Sequence, residues 1–299
     1  VRFIFYLILL LCQNSQGSEA FEQYKPDMKA LNSSPKAKRY YELLNKSVIT
    51  YKDRPIYEER YKIIKELLVK YPKWIDGHWV FGSEAFQLGS TYVDEKDHDL
   101  ALKIFSEGED ATRSCLVLEP RNPLCKMFLA TNIAAAAAIR GVIPSLRYGS
   151  TVLNLWLDVK KSKVNYQFTP EVSLQGSVHY ALGLFHRLVP DSTLLDWVFD
   201  VRGDIDEAVN LHKKVLSLDG PSPCGNLMLA AALLCKGEKE GSTPTLDVDR
   251  LLNKAQSLAT KDLNQAICRI GAKTLAETPR LACGYTTAKQ QDLKQDPGS

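Results

Sequence analysis

The sequence predicts an all-α protein built as an irregular solenoid of helical hairpins. Apolar residues recur at three- and four-residue spacing from Tyr57 almost to the end of the chain, and no stretch alternates with period two over a useful length. Helix-stopping signals punctuate that pattern at Tyr71-Pro72, Glu119-Pro120 and Asp219-Gly220-Pro221. The best-marked helix covers residues 204–218. Asp204 stands at its N-cap, Asp206 and Glu207 fill the first turn, and Lys213 and Lys214 lie nearer the negative end. Ile205, Ala208, Val209, Leu211, Val215, Leu216 and Leu218 form its apolar stripe, with Ala208 small enough to admit a neighbouring helix.

Residues 1–20 read as a secretory signal peptide. Arg2 supplies the positive region, residues 3–12 an apolar run of ten, and Ser18-Glu19-Ala20 a small-x-small cleavage site before Phe21. A run of ten falls short of the roughly 20 residues that cross a bilayer. The alternative is a lipid anchor at Cys12, which the bulky Leu11 before it opposes. Residues 21–56 form a polar lead-in, with Pro26, Pro35 and one short helix over 38–49. A helical-repeat domain covers 57–285, and residues 286–299 make a polar tail expected to be disordered. At 45% hydrophobic and 24% charged residues, with a formal net charge of +3, the chain offers no basic field for nucleic acid.

Within the domain the helices follow in order. Tyr57, Tyr61, Ile64, Leu67 and Leu68 make one stripe, and residues 74–88 a second helix rich in aromatics. Helices over 100–118 and 127–139 follow, the latter containing five alanines at 134–138 that combine high helix propensity with no bulk. Residues 145–160 and 172–188 are next, the second with a small face of Gly176, Ala181 and Gly183. After a loop through Trp197 come the helix over 204–218 and three more, over 226–236, 248–258 and 263–275. Closing helices near 72, 120, 219 and 260 are 48, 99 and 41 residues apart, wider than the regular period of about 34. A further closing helix near Lys160 divides the middle interval. The result is four or five hairpins with insertions on one rim.

Six cysteines follow the signal peptide: Cys115, Cys125, Cys224, Cys235, Cys268 and Cys283. In an oxidising compartment they are expected to pair. Cys224 and Cys235 bracket one helix and so stand roughly 16 Å apart, out of bonding reach. Cys115 and Cys125 flank the turn at Pro120, and Cys268 and Cys283 flank Pro279; these are the two pairs expected.

Reactive constellations are not evident. His179 and His186, seven apart, lie about 10 Å from each other along a helix, too far to share an ion. In the acidic stretch 94–99, Lys96 occupies a place where a calcium loop needs an oxygen. No enzyme activity, metal or cofactor is expected. The aromatic series supplies the candidate binding residues: His78, Trp79, Phe86, His179 and Tyr180, lining a groove or channel between hairpins.

The helix over 204–218 resembles the second helix of a tetratricopeptide repeat, with its Gly-Asp start, central Ala208 and Leu-Asp stop before Pro221. The order of features is similar to that of the TatT-type tetratricopeptide proteins that accompany periplasmic TRAP transporters, and less closely to the regulator-of-microtubule-dynamics group. It comprises Leu118-Glu119-Pro120, the alanines 134–138 with Arg140-Gly141-Val142, the helix around Trp156, GSVHYALGLFHRLVP at 176–190 and the 203–220 helix. The resemblance spans residues 57–275. It implies a non-enzymatic periplasmic scaffold whose partner is an extracytoplasmic solute-binding protein, and an oligomer. The other readings are a container for a small apolar ligand or lipid, and an envelope hydrolase.

Overall fold

A computed structural model describes residues 20–242, 246–288 and 290–291. The expected signal peptide, except for Ala20, and the alternative anchor at Cys12 lie outside them. The lead-in carries β1 (Glu22–Gln23), α1 (Lys29–Asn32) and α2 (Ala37–Leu44). Then follow α3 (Arg54–Lys70), α4 (Ile75–Gly89), α5 (His98–Leu118), α6 (Pro123–Arg140) and α7 (Gly149–Lys161). Three short strands, β2 (Val164–Asn165), β3 (Gln167–Thr169) and β4 (Val172–Ser173), precede α8 (Leu174–Leu188). The chain continues with α9 (Thr193–Phe199), α10 (Ile205–Asp219), α11 (Pro223–Glu240), α12 (Leu246–Ser257) and α13 (Leu263–Glu277). The expected all-α solenoid of hairpins is present.

Helices alternate between two rows. Each of α4, α6, α8, α11 and α13 packs against the next in that series, whereas α3, α5, α7, α10 and α12 contact chiefly the helices of the first row. A row whose members touch one another lies on the inside of a curve, so the first series is the inner row. Four inner helices start at a side-chain cap, from Asn122, Ser173, Ser222 and Asp262, each satisfying backbone N–H groups that the first turn leaves free. The Asp204 cap on α10 is made as its sequence suggests, with bonds of 2.9 and 3.0 Å to the N–H groups of Asp206 and Glu207. Small residues set the close crossings: a Cβ on Gly82 or Gly108 would drive into Thr112 or Asn132. Beside Gly183 the His212 ring occupies the space of the missing side chain.

The curve closes on itself. Leu263, at the start of α13, shares a core with Val48, Tyr57, Leu88 and Ile104 from the opposite end of the chain. Gln291 accepts from Val142 N–H at 3.2 Å and donates to Ala138 O at 3.1 Å, tying the C-terminal stretch to the end of α6. The disorder expected from Thr286 therefore does not extend over the described part of that stretch, where Thr286 and Gln291 are buried. Fully buried Arg187 organises the turn before it. Its guanidinium donates to the carbonyls of Ala282, Cys283 (3.0 Å) and Tyr285 (2.7 Å), and burial pulls its pKa down to about 10, which leaves it charged at neutral pH.

Three disulfides brace the fold: Cys115–Cys125, Cys224–Cys268 and Cys235–Cys283. The expected Cys268–Cys283 pair is thus corrected. Cys268 faces the first turn of α11, while the 3-10 turn Pro279–Leu281 carries Cys283 back along α11 to Cys235. Both bonds staple one helix at two heights, a relation that only the packing of α11 on α13 creates.

Candidate functional site

The expected binding residues occupy three separate places. His78 and Trp79 lie on α4. Trp79 is 4% exposed, its ring parallel to Phe128 at 6.0 Å and edge-on to Tyr166 at 5.4 Å. His78 is buried, with Nε2 2.9 Å from Pro72 O. Phe86 packs with Phe105 and Ala136 on the α5–α6 side. His179 is buried with Nδ1 2.6 Å from Gln175 O, and half-buried Tyr180 meets the ring of His212 edge-on at 5.8 Å. Trp79 and Tyr180, the two central candidates, belong to different clusters.

Around Trp79 the structure assembles something the helical pattern did not reveal. Residues 22–27 lie extended across the starts of three consecutive inner helices. Glu22 and Gln23 pair in parallel with Val164 and Asn165, which follow α7 and are tied to the start of α8 by Gln175 (N–H to Asn165 Oδ1 at 3.0 Å, Nε2 to Val164 O at 2.7 Å). Glu22 N–H donates to Lys163 O at 3.0 Å and Tyr24 N–H to Asn165 O at 2.7 Å. The Tyr24 hydroxyl accepts from Asn122 Nδ2 at 2.8 Å, at the cap of α6, and donates to Asp76 Oδ1 at 2.6 Å, in the first turn of α4. Asp27 then donates its N–H to Asp76 Oδ2 and accepts Trp74 Nε1–H at its carbonyl, both at 2.6 Å. Asp76 Oδ1 also receives Trp79 Nε1–H at 2.6 Å, which orients the carboxylate. Burial, and then the Asp76 carboxylate, push the Tyr24 phenol above its ordinary pKa, so it remains a donor. The signals for this rail were present as Tyr24, Asp76 and Asn122, but nothing in one sequence marks them as neighbours.

A second surface lies on the other rim, where inner helices connect to outer ones. The stretch after α8 is a helix, α9, where the sequence suggested a loop; it is short and packs on few residues, so its apolar pattern has little periodicity to betray it. The excursion is pinched at its neck by Gly203 N–H to Pro190 O and Asp204 N–H to His186 O, each 3.1 Å. A Cβ on Gly203 would collide with Val189 O, so the close approach requires glycine. Leu195 and Phe199 anchor α9 to Leu146, Val189 and Val201. The opposite side presents Leu194, Trp197 and Val198, exposed by 61%, 85% and 50%. Positions i, i+3 and i+4 make these one face. Exposed Asp191, Asp196 and Asp200 accompany it, and the single cation of the excursion, Arg202, is bonded to Asp191 at 2.6 Å.

Fold and surfaces together define an all-α, disulfide-braced hairpin solenoid with one occupied rim and one apolar knob. No protein-family model and no curated protein matches the chain. Among solved structures the chain is similar to a thermophilic TPR protein from Thermus thermophilus, at 16% identity and a TM-score of 0.47, over 74% of this chain and 92% of that one. Three disulfides fit an oxidising compartment, and no helix of the described residues is long and apolar enough to cross a membrane.

Proposed function

We propose that this protein is a non-enzymatic scaffold of the periplasm or extracellular space that binds a partner protein through α9. The observation that carries the reading is Trp197, a large aromatic presented to solvent on the same face as Leu194 and Val198. Aromatic anchors of this kind dominate protein interfaces, and apolar faces are seldom left open without a use. The acidic side chains of the excursion favour a partner whose apolar pocket has a basic rim, and disfavour an anionic membrane surface. The family resemblance supplies a candidate, an extracytoplasmic solute-binding protein of a TRAP transporter.

Affinity capture after gentle cross-linking in the native envelope tests this. The expected result is enrichment of one secreted partner with such a pocket, and loss of about 30-fold in affinity on Trp197→Ala, the equivalent of about 2 kcal/mol for an anchoring aromatic. Thermal stability of the variant should match the wild type, because Trp197 contributes little to the core. Capture that is indifferent to Trp197→Ala would remove α9 from the function.

A further inference from the structure

We propose that the rim formed by the starts of α4, α6 and α8 is a recognition rail for an extended, tyrosine-bearing peptide of a partner protein, and that residues 22–27 are its resident occupant. The inference does not rest on the α9 surface. Each of these three inner helices has one reading element at its start: the Val164–Asn165 edge held against α8 by Gln175, the Asn122 amide at α6, and Asp76 with Trp74 at α4. An extended chain advances about 3.3 Å per residue, so the five steps from Glu22 to Asp27 cover roughly 17 Å. That length matches two interhelical spacings of about 8–10 Å each. The repeat of the solenoid and the stride of a β-strand are therefore commensurate here.

The occupant is held as a ligand would be held. Its contacts are main-chain bonds plus one side chain, Tyr24, while Glu22, Gln23, Lys25 and Asp27 stay exposed. Main-chain pairing with a pocket for a single side chain is the mode by which sheet edges accept peptides, tolerant of most side chains and selective at one. Beside it the rail continues as an open depression between Glu22–Lys25 and the Glu119, Arg121 and Pro123 turn, leaving room for flanking residues of an incoming chain. Asp76, which accepts, and Asn122, which donates, specify a tyrosine hydroxyl that can both donate and accept, which phenylalanine cannot replace.

The test uses the full chain carrying Tyr24→Ala, which empties the tyrosine pocket and leaves the resident segment only its main-chain bonds, and a fluorescein-labelled peptide of residues 20–28. Binding at micromolar concentration is expected, at least tenfold tighter than to the wild type, whose own segment competes. Replacing the peptide tyrosine by phenylalanine should weaken it at least tenfold, as should adding Asp76→Asn to the protein. Equal or absent binding to a folded Tyr24→Ala chain would overturn the proposal. Hydrogen exchange on the wild type gives an independent reading: the Glu22 and Tyr24 amides should exchange by local opening, at denaturant concentrations that leave α4 and α6 protected. Exchange of these amides only on global unfolding would count against a displaceable segment. A wild-type dimer that Tyr24→Ala dissolves would assign the rail to a second copy of the chain, and overturn the proposal as stated.

Discussion

A single oxygen of Glu84 forms a buried junction between the lead-in and the first hairpin. Its Oε1 accepts from Tyr40 OH at 2.7 Å and from Arg60 Nη2 and Nε at 2.8 and 3.2 Å, all buried. Burial is the largest influence and opposes the Arg60 charge, yet Glu84 together with Tyr40 and Tyr57 outweighs it and the Arg60 pKa stays raised. Removing one member leaves the other charge buried and unpaired, so Glu84→Ala should cost about 3–5 kcal/mol in urea denaturation. The double change Glu84→Leu with Arg60→Met should cost far less. His212 makes the opposite kind of prediction. It is wholly buried on α10 with neither ring nitrogen bonded, and burial, then the nearby Arg187 charge, lower its pKa to about 3 from an ordinary 6.5. Between those values the unfolded chain takes up a proton that the folded chain refuses. Stability therefore falls as pH drops from 6.5 towards 3, by up to about 1.4 kcal/mol per pH unit from this residue. Comparing urea midpoints at about pH 7 and about pH 4.5, His212→Leu should show the shallower acid loss.

At the scale of elements, α11 is the member most constrained by covalent chemistry. Cys224 ties its first turn to α13 and Cys235 ties its fourth turn to the segment after α13, across loops of 44 and 48 residues. In the chain-entropy account, each such loop is worth roughly 4 kcal/mol, against under 3 for the 10-residue loop of Cys115–Cys125. Replacing Cys235 and Cys283 together by alanine should lower the unfolding free energy by up to that amount. It should also raise hydrogen exchange at residues 282–288, where the Arg187 and Gln291 bonds would then hold the turn without a covalent tie. Helix α10 shows how capping couples elements: Asp219 at its end accepts from Ser173 Oγ at 2.5 Å and N–H at 3.2 Å, at the start of α8. Gly176 makes this possible, because a Cβ there would overlap the carboxylate.

The whole molecule differs from an open solenoid in having its ends folded against the body. The lead-in crosses one rim, the start of α13 packs on the first hairpins, and Gln291 reaches α6. Inner helices α4 and α11 are consequently buried nearly all round. Trp79 and its neighbours thus serve as packing beneath the bound segment. The two surfaces proposed for partners are on the rims, one already carrying a segment of the chain itself and the other carrying α9.

What the sequence determined unaided is what local periodicity and capping encode: the all-α class, the succession of long helices, the Asp204 cap and the small-residue face of Gly176, Ala181 and Gly183. These depend on residues within a few turns of one another, and their signals repeat along each helix. Tertiary structure alone decided the Cys224–Cys268 and Cys235–Cys283 pairs, the exposure of Trp197 and the meeting of Tyr24 with Asp76 and Asn122. Each joins residues 44 to 98 positions apart, or depends on which face a short helix turns outward. Such relations follow from how the rows curve, and curvature is a sum of small crossing angles that no single stretch of sequence contains.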